Sequence, residues 1–185
     1  LLYISPAWVA QNAHQLSDET PSGTGEYDFA LFFVTGAKGG VLPTLFPALA
    51  PLPDTQLFLT MSVRAAGYPA ATAATTTVIR LFTFGGRDID LVALAPSAVG
   101  EQGASGGPVV DADNTLLGLI TTRGNAEREG LRSLRALTLS YIDRTMLQES
   151  GLDLAHTLAG DLPLRAQAFR ETIAPRLRAL LSPAR

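Results

Sequence analysis

The dominant pattern in this sequence is a series of short runs of β-forming residues separated by turn residues. Seven such runs occupy residues 1–5, 27–34, 56–63, 75–84, 88–95, 108–112 and 115–122. Each is rich in Val, Ile, Thr or aromatic residues and is bounded by Gly, Pro, Asn or Asp, as strands and their turns are. Because no long helical pattern lies between the runs, the sequence predicts an antiparallel barrel or sandwich.

Two connecting segments support this interpretation. The sequence DADN at 111–114 predicts a hairpin turn, since Asp and Asn tolerate the backbone angles that such turns require. Residues 41–54 contain four prolines, which predicts an extended connector between two β-units.

The pattern changes to helical spacing after about residue 140. Ser140 is the predicted N-cap of a helix that ends at Gly151. Residues 164–181 carry apolar residues on one helical face, and we expect Pro175 to kink that helix or to begin a second one.

Composition excludes several classes of function. Apolar residues make up 46% of the chain and charged residues 17%, so a substantial core can be buried. A net charge of −3 gives no reason to expect nucleic acid as a partner. The chain has no cysteine for disulfides, thiolate catalysis or a Cys-ligated zinc site. Two distant histidines predict no metal site, no cofactor is implied, and no apolar run is long enough to span a bilayer.

The stretch EQGASGGPVV, residues 101–110, carries the strongest chemical signal. As G-x-S-x-G it would match the nucleophile elbow of α/β-hydrolases, which needs a helix directly after the serine. Here a turn and strand signals follow instead, so that interpretation fails. As G-x-S-G-G-P the stretch resembles the nucleophile loop of trypsin-like (chymotrypsin-fold) serine proteases.

The resemblance implies a role for each matching residue. Ser105 would be the nucleophile, and the N–H groups of Gly103 and Ser105 would form the oxyanion hole. YDFALFFV at 27–34 is similar to the D-x-A-L segment of the family, which makes Asp28 the triad aspartate. Many members carry Asp before the serine; Ala104 departs from them and is similar to the bacterial HtrA-like branch.

Three further segments extend the likeness in the same order as in the family. The segment AAGYPA (65–70) resembles the G-x-P turn that opens the second barrel. The segment TLLGLITTR (115–123) resembles the strand that lines the substrate groove. The segment LRALTLSYIDRTML (134–147) resembles the final strand and the C-terminal helix that follows it. The implied fold is mainly β, a chymotrypsin-like double β-barrel with the first barrel incomplete and the second complete, plus C-terminal helices. The implied domains are a remnant of the first barrel at 1–40, a connector at 41–54, the second barrel with the nucleophile loop at 55–139, and a helical appendage at 140–185.

The resemblance also implies a polypeptide substrate and residues that contact it. Val99, six positions before the serine, would lie at the base of the primary pocket and favour an apolar substrate side chain. Thr121, Thr122 and Arg123 would line the groove, where Arg123 would narrow or charge it. Because relatives are mostly exported, the resemblance points to an extracytoplasmic location.

The position of the catalytic base is open. AWVAQNAH (7–14) resembles the W-V-x-T-A-A-H segment of the family, but Asp28 follows His14 after only 14 residues, which leaves no room for the intervening strands. Because the chain begins within a strand-like run, we expect the histidine upstream of Leu1. His14 remains a second possibility. The third is that the base has been lost, which would leave an inactive protease-fold module that binds peptides or a protein partner. His156 follows the serine, and we expect it on a helix of the appendage.

Overall fold

The computed structural model describes residues 1–13, 25–36, 50–52, 56–68, 72–99, 103–126 and 132–181. The chain divides into two compact units. One comprises Ala48–Arg144; the other combines Leu1–Pro47 with Thr145–Arg185. The four domain boundaries expected from the sequence remain predictions.

The unit Ala48–Arg144 is a closed six-stranded antiparallel β-barrel. Its strands are β4 (Ser62–Gly67), β5 (Thr72–Phe82), β6 (Leu91–Leu94), β7 (Pro108–Val110), β8 (Thr115–Ala126) and β9 (Arg132–Thr138). They pair in the order β4-β5-β6-β9-β8-β7, and β7 pairs with β4 to close the barrel. A short strand β3 (Ala50–Pro51) pairs in parallel with β8. The predicted mainly β fold with a complete barrel is confirmed.

The barrel interior is filled by the side chains that point inward at every second strand position. Along β4, Val63 and Ala65 are buried while Ser62 and Arg64 are exposed, the period of two expected of a strand with one face on a core. The four residues of β6 are all buried. The core also receives side chains from the other strands and the loop before β7, among them Val78, Val99, Ala104, Val109, Leu117, Ile120, Leu134 and Ala136.

The turn between β7 and β8 forms as predicted. Asp111 Oδ1 accepts hydrogen bonds from the N–H groups of Asp113 (2.9 Å) and Thr115 (2.8 Å). Asn114 adopts φ 63°, in the left-handed region that Asn tolerates. This local chemistry sets the register of the β7–β8 hairpin that follows the serine loop.

The strand predicted at 56–63 begins later than expected. The N–H of Met61 donates to the carbonyl of Phe58 (3.2 Å), and Thr60 has φ 67°. These residues therefore form a turn, and β4 starts at Ser62. The apolar residues at 57–61 resemble a strand in sequence, but they form a turn whose last two residues, Thr60 and Met61, already hydrogen-bond to Val78 of β5.

The last barrel strand continues directly into helix α2 (Leu139–Ser150). The predicted N-cap Ser140 is wrong: the hydroxyl of Thr138 accepts a hydrogen bond from the N–H of Tyr141 (3.1 Å), which is the capping position three residues ahead. The predicted stop at Gly151 is confirmed, since Gly151 has φ 73° and donates its N–H to the carbonyl of Leu147.

The buried carboxylate of Asp90 connects the barrel to the start of α2. Asp90 is 6% exposed, forms an ion pair with Arg144 and accepts the N–H of Phe84 (2.6 Å). Its backbone carbonyl accepts the N–H of Thr138 (3.0 Å). The charge is thus compensated by one cation and one backbone donor.

The other unit contains a two-stranded antiparallel pair and helices. Strand β1 (Tyr3–Ile4) pairs antiparallel with β2 (Ala30–Leu31), so the predicted run 27–34 contains a strand of only two residues. Between them lies helix α1 (Pro6–Asn12), which the sequence analysis missed. Its signal was Ser5 followed by proline, since the Ser5 hydroxyl caps the helix and Pro is favoured in the first turn.

Glu149, near the end of α2, forms hydrogen bonds with this N-terminal segment. Its carboxylate accepts hydrogen bonds from the hydroxyl of Ser5 (3.0 Å), the N–H of Ala7 (3.2 Å) and the hydroxyl of Tyr3. Tyr3 also stacks on Phe29. In the same unit, burial and the neighbouring Glu26 raise the pKa of Tyr27 above its ordinary value.

Three short helices complete this unit: α3 (Leu154–Ala159), α4 (Leu162–Thr172) and α5 (Ala174–Leu181). The predicted helix 164–181 is split at Ile173, and Pro175 lies in the first turn of α5 as expected of a residue that cannot continue a helix. Among the described residues, no helix is long and apolar enough to cross a bilayer.

Candidate functional site

Ser105 lies at the tip of a tight turn. The carbonyl of Ala104 accepts the N–H of Gly107 (3.0 Å), and Gly106 adopts φ 82°. A hydrogen bond between positions 1 and 4 with positive φ at the third residue is the geometry of a type II turn, which requires Gly there. Gly103 also has positive φ, 103°. The turn leaves Ser105 exposed.

Strand β8 forms hydrogen bonds with one side of this turn. The N–H of Gly106 donates to the carbonyl of Ile120 (2.7 Å), and the N–H of Ile120 donates to the carbonyl of Gly107 (2.8 Å). The hydroxyl of Ser105 donates to the carbonyl of Thr121 (3.2 Å). The loop is therefore an extension of the β7–β8 ladder rather than a free surface loop.

Strand β4 packs against the near side of the turn. A Cβ built on Gly107 would lie 2.0 Å from the carbonyl oxygen of Ala66. A Cβ built on Gly67 would lie 2.9 Å from the Cβ of Ala104 and 3.0 Å from Val99 Cγ1. Two close approaches, each possible only for glycine, thus fix the turn against the end of β4.

Two amide groups of the loop have no acceptor among the residues that the structure describes. The N–H groups of Gly103 and Ser105 donate to no acceptor within the described residues, whereas those of Gly106 and Gly107 are both used. Backbone donors near a surface hydroxyl are what an oxyanion needs. This part of the loop can receive an acceptor from a ligand.

A cleft of about 420 Å³ opens beside the serine. One wall is the loop from Gly103 to Pro108; the other is Ala66, Gly67 and Tyr68. The volume lies within the range of small-ligand sites, about 300–1,000 Å³. None of the described residues that line the cleft is charged, so this part of the lining favours uncharged groups.

The four residues predicted to contact the substrate lie in two parts of the barrel, one in the core and three on strand β8. Val99 is 2% exposed and belongs to the barrel core; its place at the base of the primary pocket stays a prediction. Thr121 is 7% exposed and accepts the Ser105 hydroxyl through its carbonyl. Thr122 and Arg123 continue β8, where their backbones pair with Arg135 and Leu134; their side chains are outside the described part of the chain.

Asp28 and the histidines belong to other parts of the chain. Asp28 is exposed and lies in the unit that contains β1 and β2, where its N–H donates to the carbonyl of Gly25. His14 lies outside the described residues. His156 is on α3, as predicted, with its ring nitrogen Nδ1 2.8 Å from the carboxylate of Asp153. The backbone N–H and the ring of His156 lower the pKa of Asp153.

The sequence analysis did not assign Gly67 and Tyr68 to the site. Both belong to AAGYPA, which was interpreted only as a turn that opens the barrel. Their place beside the serine loop follows from the pairing of β4 with β7. No group of three or more His, Asp or Glu residues suited to a metal ion occurs in the described ranges.

Structures similar to this chain include two of the protease Rv3671c. Neither a protein-family model nor a curated protein matches the chain. The crystal structure of Rv3671c protease in an inactive form is similar, with 22% identity, a TM-score of 0.45, and coverage of 56% of each chain. A serine-to-alanine mutant of Rv3671c from M. tuberculosis H37Rv, also an inactive form, has 21% identity, a TM-score of 0.43, and coverage of 57% of this chain and 54% of that one. The chain spans little more than half the length of these proteins.

Proposed function

We propose that this chain is a trypsin-like serine endopeptidase with Ser105 as its nucleophile. The observation that carries the proposal is the exposed serine on a rigid turn whose neighbouring amides, those of Gly103 and Ser105, have no acceptor among the described residues. A cleft for a ligand lies beside it. A nucleophile, unfilled donors and an adjoining cleft are the components that acyl transfer requires.

In the proposed reaction, Ser105 Oγ attacks the carbonyl carbon of the scissile peptide bond while a histidine takes the hydroxyl proton. The carbonyl oxygen becomes an oxyanion that the N–H groups of Gly103 and Ser105 stabilise. The histidine then donates its proton to the leaving amine, and an acyl-enzyme remains on Ser105. Water, deprotonated by the same histidine, hydrolyses the acyl-enzyme. Asp28 would hold the histidine in the productive tautomer.

The proposal requires a base that has yet to be assigned. The ring nitrogen Nδ1 of His156 already contacts the carboxylate of Asp153, and His156 follows the serine in the sequence, whereas the base of this family precedes it. The candidates are therefore His14 and a histidine of the full-length protein that precedes Leu1. Each makes a distinct prediction, because only the true base is needed for Ser105 to react.

A fluorophosphonate probe tests this assignment, since it labels only activated serines. We expect the full-length protein to be labelled at Ser105, as located by peptide mass spectrometry, and the variant Ser105→Ala to remain unlabelled. Ser62→Ala, which removes an exposed serine of β4, is the matched control and should label normally. His14→Gln and the same change at any upstream histidine should identify the base by a loss of roughly 10³-fold or more in rate.

A second candidate function is a non-catalytic module that binds peptides. The observation in its favour is that the Ser105 hydroxyl donates to the Thr121 carbonyl, so its proton is already held by a backbone acceptor. If the full-length protein takes no label while an active serine protease does so under the same conditions, the endopeptidase proposal is wrong and this second candidate replaces it.

A further inference from the structure

Among the described residues that line the cleft beside Ser105, one has a large side chain, Tyr68. The other residues of its β4 wall are Ala66 and Gly67, and the serine loop contributes only small residues and Pro108. Tyr68 is 72% exposed. It therefore presents most of its aromatic ring to whatever enters the cleft.

Tyr68 is positioned by the same contacts that fix the serine loop. It directly follows Gly67, whose Cα packs against Ala104 so closely that a methyl group would overlap. Ala66, two residues before Tyr68, is in equally close contact with Gly107 through its carbonyl oxygen. The backbone that carries Tyr68 is thus held at a set position relative to Ser105. A side chain on such a support can select ligands, because little reorganisation accompanies binding.

The lining determines which ligand chemistry fits. Among the described lining residues, the only polar side-chain atoms are the hydroxyls of Tyr68 and Ser105, and none of these residues is charged. A charged side chain that enters would lose water without gaining an ionic partner. An apolar or aromatic side chain would instead gain contact with the Tyr68 ring and with the small apolar wall.

We infer that Tyr68 is a specificity-determining residue that selects an uncharged apolar or aromatic side chain adjacent to the bond presented to Ser105. The inference rests on the proposed function only in taking the ligand to be a polypeptide. It adds a second source of apolar preference, on the exposed wall of the cleft, to the one predicted from the buried Val99.

Peptide binding to the full-length Ser105→Ala variant tests the inference without requiring catalysis. The probes are fluorescein-labelled hexapeptides of alanine and glutamine with Phe, Leu, Glu or Lys at one central position, measured by fluorescence anisotropy. We expect the Phe and Leu peptides to bind about tenfold more tightly than the Glu and Lys peptides. Adding Tyr68→Ala should remove this preference, whereas Tyr68→Phe should keep it. Phe58→Ala, which removes another exposed aromatic residue of the same unit that does not line the cleft, should also keep it.

The outcomes separate this inference from the proposed function. Equal or undetectable binding of all four peptides, or a preference that survives Tyr68→Ala, overturns the inference. Tyr68-dependent binding in a protein whose Ser105 takes no fluorophosphonate supports the inference and rejects the endopeptidase. Labelling at Ser105 without Tyr68-dependent selection rejects the inference alone.

Discussion

Replacing Gly107 by alanine should disrupt the serine loop without touching a functional side chain. The added methyl group would lie 2.0 Å from the carbonyl oxygen of Ala66 and 2.9 Å from that of Ala104. Both oxygens belong to the backbone, so no side chain can rotate away. The loop or the end of β4 has to move.

The size of that movement follows from the contact distances. Favourable contact between non-bonded heavy atoms begins at about 3.5 Å, so the methyl group and the Ala66 oxygen must separate by roughly 1.5 Å. Overpacking of this kind costs about 1–3 kcal/mol. For a chain of 185 residues, a loss of about 2 kcal/mol lowers Tm by about 4–8 °C. A displacement near 1 Å at a reacting group lowers its rate by about 10²-fold.

Two assays on the full-length protein measure these effects. Thermal denaturation followed by circular dichroism reports the stability, and the rate of fluorophosphonate labelling reports the position of Ser105. Gly85→Ala is the matched control, because its added methyl group would meet no atom within 4 Å; both readouts should stay at their wild-type values. A Gly107→Ala protein with wild-type Tm and labelling rate would show that the contact between Ala66 and Gly107 does not restrain the loop.

Two further predictions concern charged groups outside the loop. Arg144→Met should lower the free energy of unfolding by about 2 kcal/mol, because it leaves the buried Asp90 carboxylate without its cation; the loss is no larger because Arg144 itself is 40% exposed and partly screened. Urea denaturation should show the loss and its recovery when Asp90→Asn is added. An unchanged midpoint would contradict this reasoning. The pKa of Asp153, read by NMR titration, should lie below its ordinary value, so that its contribution to stability is present above about pH 4 and lost as the pH falls through the folded-state pKa. His156→Ala should raise that pKa only in part, since the backbone N–H at position 156 is the largest cause of the shift; a full return to the ordinary value would assign the shift to the ring instead.

Local patterns predicted most of the barrel because their causes are local. The alternation along β4 and the Asp and Asn residues of the 111–114 turn act over a few residues. The same holds for Gly151 at the end of α2. Errors arose where two local signals competed: Phe58 to Met61 are strand-forming residues in a turn, and Thr138 rather than Ser140 caps α2.

The candidate site was predictable in part. The motif located the serine loop, and the structure adds that Gly103 and Gly106 have positive φ. Helix α1 was missed because its residues were interpreted by resemblance rather than by their Ser-Pro start. The assignment of Asp28 and of the base stays a prediction, since the chemistry of a triad depends on distances between segments that no local pattern specifies.

The amino-acid order alone was enough to identify short strands, their turns, a switch to helices at about residue 140 and a serine between glycines. These features depend on side-chain period and on backbone angles, which each residue type restricts by itself. The surroundings of the serine loop depend on closure of the barrel. The pairing of β4 with β7 brings Ala66, Gly67 and Tyr68 against the serine loop, and it withdraws Val99 into the core. Contacts between residues so far apart in sequence exist only once the strands have paired, so tertiary structure alone shows that Tyr68 stands beside Ser105.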